Sequence, residues 1–137
     1  MKRKLKEQDG SMLETVAGFF IACLLVMLIL QCITALMYRS RLGTFADNVS
    51  KIISIEGKYD DDVKQTIEDY KTESSLGNIL VSLEGTEFLS GTNKIQLNDQ
   101  IKVTVTGQID ISFFTFTDLK INVKNKSVAR SEVYWKN

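Results

Sequence analysis

Residues 11–37 contain no Lys or Arg, and Glu14 is their one charged residue. From residue 16 to residue 37 the chain reads VAGFFIACLLVMLILQCITALM. At the helical rise, 22 residues span about 33 Å, and the hydrocarbon core of a bilayer is about 30 Å thick. Lipid offers the backbone no hydrogen-bond partners, so a segment that crosses it must be helical. A single membrane helix at 11–37 is therefore the first constraint on the fold.

Charge placement sets the expected orientation. Lys2, Arg3, Lys4 and Lys6 precede the apolar run, whereas Arg39 and Arg41 are the nearest bases after it. This excess predicts a cytoplasmic N-terminus and an extracytoplasmic remainder in the cell membrane. The 100 residues after Met37 hold 13 Lys/Arg and 14 Asp/Glu. That balance offers no basic stripe, which argues against a nucleic-acid partner. The chain has no histidine and no proline. Cys23 and Cys32 both lie in the apolar run, nine residues apart and so on opposite faces of a helix. They read as small apolar residues, with an intermolecular disulfide or acylation as the alternatives. The outer region, free of cysteine, must be held by packing alone.

The apolar run exceeds the usual core of a cleaved secretory signal, and no small-x-small site follows it in TALMYRSRL. A basic leader ending at Gly10, then Ser11 and the acid Glu14 before a membrane helix, is the arrangement of prepilins and pseudopilins. There the leader is cut after the Gly, and the acid pairs with a neighbouring subunit's new N-terminus. Gly10 and Ser11 are thus candidate processing residues and Glu14 a candidate assembly residue, although Glu14 stands one position closer to the Gly than in pilins. A carboxylate among apolar residues is costly unless neutralised. The plainer reading puts Glu14 in the headgroup layer near a helix N-terminus, where an acid is mildly favoured.

Beyond the run, Tyr38, Leu42, Phe45, Val49 and Ile52 recur at helical spacing, broadened by Ala46, Ile53 and Ile55. This predicts one helix from about residue 11 to residue 56, ended by Gly57, with Gly43 as a candidate bend. Asp60, Asp61 and Asp62 read as a helix start rather than a cation site, with Asp62 and Gln65 as a capping box. Val63, Ile67 and Tyr70 then predict a second helix over 61–74, closed by Gly77. From Ile79 the period becomes two. Ile79, Val81 and Leu83 predict one strand, and Ile95 and Leu97 a restart. Ile101 through Phe113 predict a long strand bulged at Gly107. A hairpin marked by Phe113, Phe114 and Phe116 leads to a strand with Leu119, Ile121 and Val123. Ser131 to Trp135 reads as a last short edge strand whose Trp closes the core, with a partner contact through Tyr134 or Trp135 as the alternative.

The expected fold class is α+β. A long membrane-plus-stalk helix and a short second helix cover an antiparallel sheet of three to four strands, the general plan of a pilin. The domains divide as 1–10 leader, 11–37 membrane helix, 38–57 stalk and 58–137 outer domain. Without histidine, His-based triads and typical zinc sites are excluded. No phosphate-binding loop is present, and nothing implies a cofactor. The chain reads as a non-enzyme.

KIQLNDQIKVTVTGQIDI at 94–111 and RSEVYWK at 130–136, together with the basic leader, Gly10, Glu14 and one membrane helix, resemble small membrane proteins. These form an uncharacterised family of Gram-positive conjugative elements, itself similar to TadE-like pseudopilins. The resemblance implies a structural, membrane-anchored role in a pilus-like, secretion or conjugation apparatus. It implies the bilayer and other apparatus subunits as partners, with self-association through the N-terminal helix, and it supplies no catalytic residues. The alternative is an unprocessed anchor that presents an extracytoplasmic protein-binding domain.

Overall fold

The computed structural model describes the backbone of residues 2–113 and 117–136, and side chains over 11–110 and 120–136. Helix α1 runs Lys2–Glu56, α2 Asp61–Ser74, and strands β1, β2 and β3 run Ile79–Ser82, Gln100–Phe113 and Thr117–Arg130. The chain divides into two compact units, Met1–Leu36 and Met37–Asn137. In the first, residues 11–36 are helical, and none of the most apolar 18-residue window is buried.

The second unit has the expected α+β architecture. Leu42, Phe45, Ala46, Val49 and Ile53 are buried, with Tyr38 and Ile52 packed at the margin. Ile55, which the pattern placed in the stripe, is 52% exposed; its position points away from the others on the helical wheel. Gly57 ends α1 with φ 63°, and its N–H donates to Ile53 O at 2.8 Å. The helix does not break at Gly43. A Cβ there would come within 2.7 Å of Asn125 Nδ2, so the missing side chain admits β3 rather than a bend.

Helix α2 has the predicted limits but a different cap. Asp60, not Asp62, is the N-cap, accepting from Val63 N–H at 3.1 Å, while Gln65 turns to Asp69. The left-handed C-cap is Ser75, two residues before Gly77. Val63 and Ile67 enter the core, and Tyr70 stacks on Phe45 with centroids 5.1 Å apart.

Among the described residues the sheet is three-stranded, in the order β1-β2-β3 and antiparallel throughout. Ile79, Ile101, Val103 and Val105 face the helices, and Leu80, Lys102, Lys124 and Val128 face out. The expected bulge at Gly107 is absent. The β2–β3 register runs unbroken from Gln100↔Arg130 to Phe113↔Thr117. A side chain at Gly107 would collide with the Tyr38 hydroxyl and lie 3.1 Å from Leu42 Cδ1, so the glycine makes room for α1. Ile95 is fully buried but not in a strand; its N–H donates to Gly57 O at 2.7 Å. A lone Lys58↔Lys94 bridge stands where the restart was expected. Residues 131–136 are likewise outside any strand. The Phe114 and Phe116 part of the expected hairpin lies outside the described residues.

Candidate functional site

Two places carry the residues singled out by sequence. At the inner end, Gly10, Ser11 and Glu14 all fall within α1. Gly10 and Glu14 are one turn apart and so share a helix face. Ser11 and Glu14 are exposed, and Thr15 Oγ1 donates back to Ser11 O at 2.8 Å. The side chains that follow are exposed too, Phe19 at 72%. This helix therefore offers its apolar surface and Glu14 outward in the same stretch.

The other place is the C-terminal segment of the second unit. The last turn of any helix leaves carbonyls without intrahelical donors. Here the chain after β3 supplies a donor to one of them and another to the glycine that ends the helix. Glu132 N–H donates to Ser54 O at 3.0 Å, and Trp135 Nε1–H to Gly57 O at 3.0 Å. Gln96 holds Trp135 from both sides of its backbone, donating to Trp135 O at 3.0 Å and accepting from Trp135 N–H at 2.9 Å. Lys94 Nζ lies 4.4 Å from the centre of the indole ring. The alternation of Val133, Tyr134 and Trp135 survives without strand pairing: the outer two are half-buried and Tyr134 is 65% exposed. Trp135 is thus engaged in holding the fold, and Tyr134 is the side chain this segment leaves open.

A serine seam joins α1 to this segment. Ser50 and Ser127 share a 2.9 Å hydrogen bond, Ser54 donates to Arg130 O, and Ser131 donates to Ile95 O at 3.1 Å. An open groove of about 840 Å³ runs beside it, lined in part by Lys51, Leu97, Asn98 and Glu132. Arg130 closes on Asn98 at 2.9 Å. Among the described residues no buried side-chain polar atom lacks a partner, and no set of acids or cysteines is grouped to hold a metal.

Charge shifts in the unit belong to its framework. Lys58 Nζ lies 2.5 Å from Asp60 Oδ2. That hydrogen bond, helped by Val63 N–H, holds Asp60 below the usual carboxylate range, and it raises Lys58 in turn. Burial pushes the Tyr38 phenol up, opposed by the Gln108 backbone N–H; its hydroxyl donates to Leu76 O at 3.1 Å.

The family described as Domain of unknown function (DUF4320) matches residues 19–136. The chain belongs to the DUF4320 family. The DUF4320 match starts inside the apolar run, so it takes in Tyr134 and Trp135 and leaves Gly10, Ser11 and Glu14 outside. Neither the curated proteins nor the solved structures contain a match.

Sequence reasoning missed Gln96, Lys94, Ser50, Ser54 and Ser127. Each acts on a partner far along the chain, and no local pattern marks it. Gly43 and Gly107 did carry a signal, a glycine inside an otherwise regular element, which marks close approach as well as a bend or bulge.

Proposed function

We propose that this DUF4320 chain is a non-enzymatic, single-pass membrane protein that serves as a pilin-like structural subunit of a pilus, secretion or conjugation apparatus. The supporting observation is the contrast inside α1: the 18-residue apolar window has no protein cover, while the core from Leu42 onward closes without it. A helix that is apolar on every side needs an apolar phase around it. A bilayer or a bundle of like helices supplies one, and a pilin-like subunit uses both in turn. In this reading the leader is cleaved after Gly10, the N-terminus is cytoplasmic and the second unit is extracytoplasmic. Glu14 is neutralised by a neighbouring copy or a related subunit.

The intact mass of the protein purified from native membranes tests processing. The expected mass lacks residues 1–10, and a mass that includes them would remove this part. Glu14→Gln tests assembly. Cross-linked oligomers in the membrane should fall several-fold while the second unit melts as before; undiminished cross-linking removes Glu14 from the mechanism.

The second reading, an unprocessed anchor presenting a binding domain, is favoured by Tyr134, exposed beside the pinned Trp135. Replacing residues 11–37 by an unrelated membrane helix separates the two, because assembly depends on that helix and surface display does not.

A further inference from the structure

The second unit carries nearly equal numbers of acids and bases, and its fold sorts them. One face of the sheet packs on the helices through Ile101, Val103 and Val105. The side chains that alternate with these point the other way. On β3 that outer row reads Lys120, Asn122, Lys124, Lys126, Val128 and Arg130, all exposed. Thr106 and Thr104 stand opposite Lys124 and Lys126, and Lys102 stands opposite Val128. Asp110, opposite Lys120, is the one acid that the strands place on this face among the described side chains. No ion pair within the described residues neutralises these bases.

Helix α2 has the opposite sign. Asp62, Asp69 and Glu73 fall within about 40° of one another around the helix axis, and all three are exposed. The two lysines of this helix turn to other acids, Lys64 to Asp61 at 2.9 Å and Lys71 to Glu68 at 3.2 Å. Asp69 has only the amide of Gln65, at 2.8 Å. Among the described residues this flank therefore keeps its charge. Val63 and Ile67 hold α2 in the core, on the inner side of the sheet. The sheet itself stands between the acid row and the lysines, so one copy cannot close the two on each other.

We propose that the outer sheet face docks the acidic flank of α2 from a second copy of this chain. The inference deepens the pilin-like reading given above and rests on it. Charge complementarity names the occupant, and the lengths agree. Asp62 to Glu73 spans about 16 Å of helix, and Lys124 to Arg130 about 20 Å of strand. Val128, 61% exposed between Lys126 and Arg130, adds an apolar point to the contact. Each copy uses its face for one neighbour and its flank for another. Such a contact is heterologous, and it extends as an open series unless the rotation between copies closes a ring. Charges across a wet interface fix register and orientation more than strength. That suits copies already concentrated in one membrane, where a weak contact is enough.

Disulfide trapping of the full chain in phosphatidylcholine vesicles tests this. In a background with Cys23→Ser and Cys32→Ser, one population carries Thr66→Cys, on the acidic flank, and the other Val128→Cys, on the sheet face. Tags of different size separate mixed from like dimers, and Trp135 emission checks folding. The expected result is a mixed dimer several-fold more abundant than either like dimer. Lys124→Glu with Lys126→Glu in the second population should lower it several-fold. Asp69→Lys with Glu73→Lys in the first should do the same, and both reversals together should restore it. Equal yields of mixed and like dimers would mean random collision and overturn the contact. Losses that the combined reversal does not restore would overturn the pairing of these two surfaces. Vesicles held on immobilised polyphosphate through Lys124 and Lys126, with no mixed dimer, would assign the face to a polyanion and overturn the contact between copies. Helix assembly is scored separately, by whether cross-linked oligomers of the wild type depend on Glu14. Oligomers that depend on Glu14, with no mixed dimer, would overturn the face contact and leave the pilin-like reading standing. Neither product would overturn both.

Discussion

The two parts of α1 use similar residues for opposite purposes. Over 11–36 the leucines, isoleucines and phenylalanines occupy all sides and stay exposed. Over 38–56 the apolar residues, Ile55 apart, occupy one stripe, and Leu42, Phe45, Val49 and Ile53 are fully or almost fully buried. Helix propensity does not separate these regions, since both are helical. The angular distribution of apolar residues does: a stripe asks for a sheet, and a full cylinder asks for a solvent of its own kind. One continuous element can therefore serve two environments, provided the polar residues return at the junction. Arg39, Ser40 and Arg41 do this.

The sharpest way to break the comparison is to remove the same side chain from each part. Phe45→Ala should cost the second unit about 3–5 kcal/mol, since it empties a buried site and ends the stack on Tyr70. Phe19→Ala should leave that unit's denaturation midpoint unchanged. Urea titration of the full chain in detergent micelles, followed by the lone tryptophan, reads both; equal losses would mean that the parts are not independent. Next in size is Gly107→Ala, which forces a methyl onto Tyr38 and should cost about 1–3 kcal/mol. Adding Tyr38→Phe should restore part of that loss, because the hydroxyl oxygen is the nearest obstacle. No recovery in thermal melts would mean that Gly107 serves backbone conformation instead. Trp135→Phe keeps an aromatic ring but removes the donor to Gly57 O, and should cost about 1 kcal/mol, measured by circular dichroism.

The smallest effect concerns pH. Asp60 has its carboxyl lowered from 3.8 by Lys58 and Val63 N–H. Its contribution is complete above 3.8 and lost as pH falls through the lowered value. Acid titration of stability should show this loss in the wild type and not in Asp60→Asn, which keeps the cap but not the charge. Parallel acid limbs would mean that Asp60 binds its proton alike in the folded and unfolded chain, and that the Lys58 bond adds nothing to stability.

Much of this fold was legible because periodicity reports burial directly. The end of α1 at Gly57, both limits of α2, and the alternation from Ile101 to Val105 all follow from spacing and punctuation. The failures share one cause: alternation shows which side is buried, not what buries it. Ile95 and residues 131–135 alternate as strands do, yet their backbones bond to a helix end and to Gln96. Gly107 interrupts a strand, and the reason is Tyr38, far away in sequence. The candidate residues divide the same way. Gly10, Ser11 and Glu14 stand out by their order before an apolar run, and the fold adds only that all three lie in α1. That Trp135 closes the fold was readable too; its bond to the end of α1 was not, because the acceptor is 78 residues away.

That last bond has a consequence in time. The Ser54 and Gly57 carbonyls are made before any of the donors that reach them: Ile95 N–H, then Glu132 N–H and the Trp135 indole. A growing chain can form α1, α2 and the β2–β3 hairpin from neighbouring sequence as each emerges. The seal on the end of α1 therefore closes in two stages, first from the segment before β2 and then from the segment after β3, and the second stage waits for the whole sheet.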